Sequence, residues 1–522
     1  TQMILGKAWT SLPCAKYPNP TIWLIDQIQN LFEQACFPRG TVVVAATDTL
    51  ITFFDKNTNP SSSLHQDVTW NLPFQAMAKE TTVLGVAVPA ALFTAKNHGV
   101  YVLPEQAHQG SDSLLVLDPL EVWQKPSMEK LLETHHPAPA SFVQGEQQQQ
   151  QQQPLAWIDT GVIIFLPKVV QILQDLSQGI LAMCTRKGIQ AAYDRLPTEQ
   201  KEQQSLEEFA KKNALKVDLY TEILHNLSWP SQPATAGHSN NSPLQETLSQ
   251  IPLKILAAPE GQFLHLGTTQ ELVDFVTSGA YPTVNSSLVL SPKRNITNMS
   301  EHVSLQPRFQ CWETPYPLDY NVALQSTFPV TTTIGTSSLV EYCDLDGYES
   351  VSIGSNCMLS GWRNPTLDTT SLTIPSNVVV QLIALTQVNR NPRQFVYMVL
   401  GMGDGIKEDP SKATLFGLPL ATFFNRTGLK PEDLGWADNT ENTNNNIWNA
   451  KLHPVVPQGT PFSCLYAWLD KVPDEDVSLK DDPSFTQWLS MPRLSLKQLH
   501  NAADASVEWI FRQDLESRIA DL

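Results

Sequence analysis

The sequence predicts three regions: an α/β domain, a parallel β-helix, and a mixed region of helices and strands. Over roughly the first 190 residues, apolar runs alternate with helical candidates, which is the order of an α/β sheet. From about Pro282 to Gln387, helix-forming residues become rare and Ser, Thr, Val and Ile dominate. We therefore expect domains at residues 1–280, 281–400 and 401–522.

Three apolar runs are expected to be buried parallel strands of the first domain. They are residues 41–46, 83–88 and 161–166, and none alternates apolar with polar side chains. A strand that is covered on both faces needs no such alternation, and parallel strands are usually covered on both faces. Residues 22–35 and 127–133 have the pattern of helices between these strands.

The β-helix is predicted from two rows of apolar residues in the segment 338–361. In stacked coils, inward-facing side chains recur once per short strand, so each row marks one buried direction. An ordinary antiparallel sheet is the alternative interpretation. The first row is Leu339, Leu345, Val351 and Cys357, six positions apart, and the second row is Ile353 and Leu359.

Two polar stretches are expected to be loops, and two segments near the C-terminus are expected to be helices. The glutamine run Gln147–Gln153 and the stretch from Ser231 to Ser242 have few core-forming side chains. Ser495 to Leu499 and Val507 to Leu522 have helical patterns, and the second has charges of alternating sign. We interpret it as an amphipathic packing helix.

Charge and cysteine usage limit the functions that the chain can have. The formal net charge is −18, so most of the surface repels a phosphate backbone and nucleic-acid binding is not expected. The 7 cysteines form no CxxC pair, which suits a reducing, cytoplasmic environment. No apolar run approaches the roughly 20 residues of a membrane span, and no signal peptide is expected.

Two residues near the N-terminus are candidates for holding phosphate and metal. Lys7 follows Gly6, and a lysine beside a glycine loop can neutralise phosphate oxygens, although a solvated surface lysine is the simpler interpretation. Asp48 follows the apolar run 41–46, where a carboxylate could bind Mg²⁺ at the carboxyl edge of a sheet. Capping of a following helix explains Asp48 equally well.

A second group of candidates lies where loops meet strands. Asn97, His98 and Gly99 end a loop and open a strand, and Gly99 would allow close approach of a ligand to the backbone. A hydrogen-bonded structural histidine is the alternative for His98. Lys125 precedes Pro126 and a predicted helix, so it either meets a phosphate or faces water.

The segment Asp159-Thr160-Gly161 places polar side chains directly before an apolar run. We expect Asp159 and Thr160 to read a sugar hydroxyl there, although a turn explains the pattern nearly as well.

A last pair of carboxylates and one histidine are candidate metal ligands. Asp218 and Glu222 lie four residues apart and share one face if residues 214–226 form a helix. A cation between them would relieve their repulsion, whereas a solvated acidic face is the simpler interpretation. His265 lies in a strand-like run that ends at a glycine turn, and Glu271 begins the next predicted helix.

Taken together, these segments resemble the fucose-1-phosphate guanylyltransferase (GDP-fucose pyrophosphorylase) family over almost the whole chain. No single motif is specific, but the ordered set is. The later motifs most resemble bifunctional fucokinase/GDP-fucose pyrophosphorylases and fucose kinases. The motifs are Gly6-Lys7 with Leu12-Pro13, Asn97-His-Gly-Val-Tyr, Gln124-Lys-Pro-Ser-Met-Glu-Lys, Asp159-Thr-Gly, Phe263-Leu-His-Leu-Gly-Thr-Thr, Ser352-Ile-Gly-Ser-Asn-Cys, Phe423-Phe-Asn-Arg-Thr-Gly, Trp448-Asn-Ala-Lys-Leu-His-Pro and Leu494-Ser-Leu-Lys-Gln-Leu-His.

The resemblance implies a nucleotidyltransferase-like fold with a Rossmann-like mixed sheet, followed by a β-helix. The implied reaction is attack of the L-fucose-1-phosphate oxygen on the α-phosphate of GTP, with Mg²⁺ as cofactor and pyrophosphate as leaving group. Lys7 would face phosphate and Asp48 would bind the metal, while Lys125 would lie near the sugar phosphate with Asp159 and Thr160. His265 stands where related enzymes place a second metal-binding carboxylate, and Asp218 or Glu222 would be its substitute.

Two departures from the family pattern lead to an alternative function. The glycine-rich nucleotide loop is missing before Gly6-Lys7, so we expect the chain as given to bind GTP poorly. The sugar-kinase domain of bifunctional members is also absent, and no kinase phosphate loop is found. The alternative is therefore a non-catalytic region of an L-fucokinase whose kinase domain lies beyond Leu522. A β-helix interaction or acyltransferase module is a third, weaker interpretation.

Overall fold

The structure is a computed structural model, and it describes most of the chain in separate ranges. These divide into two compact units, residues 24–264 and, in its described part, residues 265–522. The described residues are 25, 28, 37–46, 49–52, 80–104, 115–133, 155–179, 181–215, 217–229, 243–259, 261–265, 267–277, 322–324, 326–329, 331–363, 371–386, 393–436 and 445–521.

The first unit alternates strands with short helices. Its strands are β1 (Val42–Ala45), β2 (Thr49–Thr52), β3 (Val83–Ala91), β4 (Gly99–Val102), β5 (Leu115–Leu117), β6 (Glu121–Gln124), β7 (Leu155–Phe165), β8 (Leu253–Ala257) and β9 (Gln262–His265). Its helices are α1 (Leu92–Ala95), α2 (Met128–Glu133), α3 (Pro167–Gln178), α4 (Arg186–Asp194), α5 (Thr198–Gln203), α6 (Leu206–Asn213) and α7 (Pro243–Leu248), with a π-helical turn at Leu219–Ile223.

A mixed sheet of seven strands forms the centre of this unit. Its order is β5-β8-β3-β7-β4-β6, and β1 pairs with β7 outside this path. β3 and β8 are parallel, whereas β7 runs antiparallel to β3, β4 and β1. Apolar side chains cover both faces of β3 and β7, which explains why their sequences do not alternate.

The predicted strand directions are wrong for two of the three apolar runs. The run 161–166 is buried as predicted, but it belongs to the antiparallel strand β7. The run 41–46 contains β1, which is antiparallel to β7 and leaves Val42 43% exposed. A continuous apolar run reports that both faces are covered, but it carries no information about direction. The third run, 83–88, lies in β3, which pairs in both directions.

Several local predictions for this unit are confirmed. The helix predicted at residues 127–133 is α2, and the strand expected after the Asn97 loop is β4.

The turn interpretation of Asp159-Thr160-Gly161 is wrong, because these residues lie inside the eleven-residue strand β7. A regular helix at residues 214–226, the condition under which Asp218 and Glu222 would share one face, is not formed, because a π-helical turn and a 3₁₀ turn occupy its second half.

The second unit contains a stack of parallel strands, an antiparallel extension and a helical C-terminal part. Its strands are β10 (Val322–Leu324), β11 (Thr331–Ile334), β12 (Leu339–Glu341), β13 (Ser350–Ile353), β14 (Met358–Ser360), β15 (Ser371–Ile374), β16 (Val378–Ala384), β17 (Gln394–Gly401), β18 (Thr414–Leu415), β19 (Leu418–Pro419), β20 (His453–Pro457) and β21 (Arg493–Leu494). Its helices are α8 (Thr269–Thr277), α9 (Leu420–Thr427), α10 (Ser463–Tyr466), α11 (Pro483–Ser490), α12 (Leu496–Ala502) and α13 (Ala505–Asp521).

Successive strands of the stack alternate between two parallel sheets. β10, β12, β14 and β16 form one sheet, and β11, β13 and β15 form the other. The register places Leu339 opposite Met358 and Val351 opposite Leu372, so apolar residues lie above one another in neighbouring coils. The antiparallel alternative is therefore wrong for this segment. Beyond β16, the sheet continues antiparallel through β17, β20 and β21.

The larger sheet of this unit buries polar side chains. Ser360 lies opposite Glu341 on one side and Gln381 on the other, and its hydroxyl donates to Glu341 at 2.8 Å. Among the described residues, neither the Gln381 amide nor the imidazole of His453, on β20, has a hydrogen-bond partner, and both side chains are buried.

The C-terminal helices are present where they were predicted, but the amphipathic interpretation of the last one is wrong. α13 buries Glu508 and Arg512, and Glu508 forms an ion pair with Arg363 at 2.6 Å. The same helix leaves Trp509 55% and Ile510 65% exposed. No helix within the described ranges is long and apolar enough to cross a membrane.

The three predicted domains remain a prediction. Residue 280 lies outside the described residues, and residue 400 lies within β17.

Candidate functional site

The first unit brings Gly99 on β4 against Asp159 on β7. A side-chain carbon at Gly99 would lie 3.1 Å from Cβ and 3.5 Å from Oδ2 of Asp159. It would also lie 3.3 Å from Nε2 of Gln124, the residue that pairs with Gly99 across β4 and β6. Gly99 therefore packs closely against the side chains of Asp159 and Gln124, and any larger residue there would crowd them.

Three donors orient the Asp159 carboxylate. The hydroxyls of Tyr101 on β4 and Tyr220 on the π-helical turn donate hydrogen bonds to it. The backbone N–H of Gly161 donates to Oδ1 at 2.9 Å. Burial raises the pKa of Asp159 to about 6, although these hydrogen bonds act to lower it. Burial also raises the pKa of Tyr101, so its hydroxyl keeps its proton. We call Asp159, Tyr101, Tyr220 and Gly99 the Asp159 cluster.

A β-bulge in β7 places Asp159 at this point. Between the pairs Gly85↔Ile163 and Ala87↔Asp159 the register shifts, so β7 contains more residues than β3. Gly161 takes a φ of +73°, and a side-chain carbon there would lie 2.7 Å from Cβ of Ala46. Only glycine fits this bulge without strain.

The side chain of Thr160 stabilises the bulge and does not reach the surface. Its side chain is fully buried, and its hydroxyl donates to the carbonyl of Val86 at 2.8 Å. Of the predicted segment Asp159-Thr160-Gly161, the structure therefore directs only the carboxylate of Asp159 toward Gly99.

The predicted residues His98 and Lys125 lie beside the cluster. The backbone N–H of Lys125 donates to the carbonyl of His98 at 3.1 Å. Lys125 is exposed and takes a φ of +46°, a conformation that non-glycine residues adopt rarely and often at functional sites. The ring of His98 makes an edge contact with Phe263, with centroids 5.0 Å apart. Asn97, one residue before His98, is exposed.

The carboxylates of Asp218 and Glu222 bind the backbone of their own turn. Oδ1 of Asp218 accepts the N–H of Tyr220 at 2.9 Å, and Oε2 of Glu222 accepts the N–H of Asp218 at 2.7 Å. Both residues thus lie on either side of Tyr220, which reaches Asp159.

His265 belongs to the second unit and forms an ion pair with Glu271. The distance from Nδ1 of His265 to Oε2 of Glu271 is 3.2 Å, and Glu271 also accepts the backbone N–H of Thr268 at 2.8 Å. Partial burial acts to raise the pKa of Glu271, but these hydrogen bonds outweigh it and lower the pKa to about 2.

The described residues do not by themselves form a magnesium site. No three His, Cys, Asp or Glu side chains within the described ranges come together as metal ligands. The principal predicted ligand, Asp48, and the phosphate-binding candidate Lys7 both lie outside the described residues. We therefore derive no chemical step through a metal ion.

The Asp159 cluster has the chemistry to recognise a hydroxyl group. A hydroxyl can donate one hydrogen bond and accept others, and an acceptor, Oδ2 of Asp159, and a donor, Nε2 of Gln124, both lie next to Gly99. The exposed ammonium of Lys125 follows Gln124 directly in the chain. The sequence predicts no role for Tyr101, Gln124 or Tyr220. Tyr101 and Gln124 belong to two of the motifs that carry the family resemblance. Tyr220 belongs to none of them and lies between Asp218 and Glu222 in the sequence.

Comparison with known proteins gives one match that covers most of the chain. A family model described as the fucose pyrophosphorylase domain matches residues 1–458. A comparison with curated proteins gave no match.

Solved structures match at low similarity. One is a mannose-1-phosphate geranyltransferase from Thermus thermophilus, with 11% identity over 73% of this chain and 69% of that chain, and a TM-score of 0.27. A UDP-glucose pyrophosphorylase complexed with UDP-glucose is 18% identical over 28% of this chain and 40% of that chain, with a TM-score of 0.15. An apo UDP-glucose pyrophosphorylase is 14% identical over 46% of this chain and 54% of that chain, with a TM-score of 0.19. Scores this low carry no argument about the fold.

Proposed function

The chain belongs to the fucose pyrophosphorylase family, and on that premise we propose that it transfers GMP from GTP to L-fucose-1-phosphate. The products would be GDP-L-fucose and pyrophosphate. Membership of a pyrophosphorylase family makes the protein a nucleotidyltransferase with a nucleotide and a sugar phosphate as substrates. That the base is guanine and the sugar is fucose is part of the proposal.

The proposed step is an exchange at phosphorus. A phosphate oxygen of L-fucose-1-phosphate attacks the α-phosphorus of GTP and forms the new P–O bond. The bond from the α-phosphorus to the bridging oxygen breaks, and pyrophosphate leaves with the electron pair. Catalysis of such a step is mostly positioning and charge neutralisation, because little covalent chemistry remains for the protein.

One observation carries the proposal: residues predicted to bind substrate lie next to one another at the Asp159 cluster. Asp159, Gly99, His98 and Lys125 are separated in sequence but adjacent across β4, β6 and β7. In the proposed complex, Asp159 and Gln124 bind a sugar hydroxyl near Gly99, and Lys125 faces the sugar phosphate.

Mg²⁺ remains part of the proposal through Asp48, with His265, Asp218 or Glu222 as further candidates. A bound Mg²⁺ would neutralise charge on the triphosphate. We predict that Asp48→Asn abolishes turnover and leaves folding unchanged; near-normal turnover would remove Asp48 from the metal site.

We also propose that residues 322–384 form a short parallel β-helix. The support is the alternation of strands between two parallel sheets, with apolar residues in register from coil to coil.

The test is release of pyrophosphate by the full-length protein. We expect release from GTP only in the presence of L-fucose-1-phosphate, with other nucleotides and sugar phosphates as comparison substrates. Lys125→Ala should lower kcat/KM by about tenfold or more, since a charge-assisted contact to phosphate is lost. Lys212→Ala, an exposed lysine of α6, is the matched control and should have no effect.

Two results would contradict the proposal. One is the absence of pyrophosphate with every nucleotide and sugar phosphate tried. The other is fucose-dependent release of ADP from ATP without pyrophosphate, which would support the region of an L-fucokinase instead. A kinase domain in the same polypeptide remains a prediction.

A further inference from the structure

Two of the motifs that carry the family resemblance meet in the second unit, and the proposed reaction gives neither of them a role. One motif begins at Trp448 and the other ends at His500. Their rings lie with centroids 6.3 Å apart and with planes inclined at 50°. Trp448 is half-buried and His500 is exposed, so a ligand can reach both rings from solvent.

A turn that contains two glycines places a lysine beside the same indole. Residues 402–407 follow β17, and the carbonyl of Ile406 accepts the backbone N–H of Trp448 at 2.9 Å. Nζ of Lys407 lies 6.0 Å from the centre of the Trp448 ring, which is the outer limit of a cation–π interaction. Lys407 is exposed and forms no ion pair with any residue that the structure describes. Its ammonium group therefore lies near the indole and can move to a ligand at little cost.

One carboxylate fixes the shape of this turn. Asp404 accepts four hydrogen bonds, which fill the roughly four lone-pair positions of a carboxylate. The donors are the backbone N–H groups of Gly401, Phe416 and Gly417 and the hydroxyl of Thr414, at 2.7 to 3.1 Å. A side-chain carbon at Gly403 would meet nothing within 4 Å, so open space adjoins the turn. The turn therefore has a fixed backbone with room for a ligand beside it.

Basic side chains collect here on a chain whose formal net charge is −18. Lys407 and His500 both lie near Trp448. Lys497 is exposed and precedes His500 by three residues on α12, a spacing that places both on the same side of a helix. Glu408 follows Lys407 directly and offsets part of this charge. The region is still more positive than the chain as a whole, which favours an anionic ligand.

We propose that Trp448, Lys407 and His500 form a second binding site, whose ligand is a nucleoside phosphate. Aromatic side chains stack nucleobases, and positive side chains beside them contact phosphate groups. In the bound state the base lies on the indole, the Lys407 ammonium leaves the ring for a phosphate oxygen, and His500 lies at the edge of the stack. None of these residues belongs to the Asp159 cluster, so the inference goes beyond the proposed function and does not rest on it.

Photolabelling with an azido derivative of GDP locates the site directly. We expect labelled peptides from residues 402–407, 445–450 and 496–502, and unlabelled GDP should suppress this labelling. Trp448→Ala should reduce it about tenfold, because the stacking surface is lost. The matched control is Trp509→Ala, a surface tryptophan of α13 that is 55% exposed, and it should have no effect. Labelling confined to other peptides, or an equal effect of the two variants, would overturn the inference.

A second variant tests the phosphate contact without touching the packing of the unit. Lys407 is exposed, so Lys407→Ala should fold normally. The concentration of GDP that suppresses half of the labelling should rise about tenfold, the usual effect of losing a hydrogen bond from a charged group. Lys480→Ala, an exposed lysine of the same unit, is the control. An unchanged concentration in Lys407→Ala contradicts the proposed contact.

Guanosine and inorganic phosphate separate the two parts of the ligand. Guanosine should compete with the label equally well in the unmutated protein and in Lys407→Ala, because it has no phosphate to lose. Inorganic phosphate should compete far more weakly than GDP, because it cannot stack. Phosphate that competes as well as GDP would make this a plain anion site and overturn the assignment to a nucleoside phosphate.

Turnover distinguishes this site from that of the proposed reaction. Trp448→Ala should leave kcat/KM for pyrophosphate release within about twofold of the unmutated value. A loss of turnover that parallels the loss of labelling would place Trp448 at the reacting groups, and the second site would not exist. A protein that is labelled at these peptides but releases no pyrophosphate would contradict the proposed function alone.

Discussion

Three buried polar side chains, Asp159 in the first unit and Gln381 and His453 in the second, differ in how many hydrogen bonds they make. In the sheet of the first unit, the buried carboxylate of Asp159 has three hydrogen-bond donors. In the larger sheet of the second unit, the Gln381 amide and the His453 imidazole are buried and have no hydrogen-bond partner in the part of the chain that the structure describes. A satisfied group is held in one orientation, which a binding site requires, whereas an unsatisfied group costs stability and orients nothing. This difference supports the proposal that the substrate site lies in the first unit.

The largest expected effect is on the bulge that presents Asp159. Gly161→Ala should destabilise the first unit by about 3 kcal/mol, from the sum of left-handed backbone strain and the overlap with Ala46. Urea unfolding followed by hydrogen exchange in the peptide 155–165 measures this loss. Gly403→Ala is the control, because a side-chain carbon at Gly403 would meet nothing within 4 Å. Equal effects of the two substitutions would refute the role of the bulge.

The second prediction concerns pH, and the two units should respond with opposite signs. Asp159 faces the hydroxyls of Tyr101 and Tyr220, and its folded pKa of about 6 lies above the unfolded value of about 3.9. The folded unit therefore holds the extra proton between these values, and its stability falls as pH rises from about 4 to 6. The shift corresponds to about 2 to 3 kcal/mol.

His453 should act in the other direction. Burial lowers its pKa to about 3, so the unfolded chain binds the extra proton between about pH 3 and 6.5. The stability of the second unit therefore rises with pH over this window. Hydrogen exchange of the peptides 155–165 and 453–457 at pH 4, 5 and 6 compares the two slopes. Asp159→Asn should abolish the first slope and His453→Gln should reduce the second; unchanged slopes would show that other groups control the pH response.

Structural features that depend on neighbouring residues in the sequence were predicted well, whereas those that depend on contacts between distant segments were not. The burial of β3 and β7, the parallel stack and helix α2 follow from local patterns of apolar residues, and these predictions were confirmed. The direction of β1 and β7 was predicted wrongly, because it is set by pairing between distant segments.

The candidate site shows the same limit. Gly99, His98, Lys125 and Asp159 were singled out from residue type and position, and their proximity was found only in the structure. Tyr220 lies on a π-helical turn, whereas Asp218 and Glu222 would share one face only if residues 214–226 formed a regular helix. No local pattern encodes such a turn, since its stability comes from side-chain hydrogen bonds to its own backbone.

The third prediction tests whether the orientation of Asp159 has a functional value. Asp159→Asn keeps the shape of the side chain but loses the charge, so kcat/KM for L-fucose-1-phosphate should fall about 30-fold, equivalent to about 2 kcal/mol. Steady-state kinetics with the exposed Asp175→Asn as control measures the effect. An unchanged kcat/KM would mean that the satisfied cluster is only structural.

The smallest expected effect is on the stability of the second unit and concerns the buried amide of Gln381. Gln381→Met removes two buried polar atoms that have no partner among the residues of the described ranges, and it keeps most of the side-chain volume. It should therefore stabilise the second unit by about 1 kcal/mol. Gln487→Met, on the exposed surface of α11, is the control and should change stability by less than about 0.5 kcal/mol. The free energy of unfolding in urea measures both. Destabilisation by Gln381→Met would mean that the amide is satisfied in solution by buried water. In that case the Gln381 amide would be hydrogen-bonded to water, and the Asp159 carboxylate to groups of the protein itself. The two would then differ in which one the protein orients.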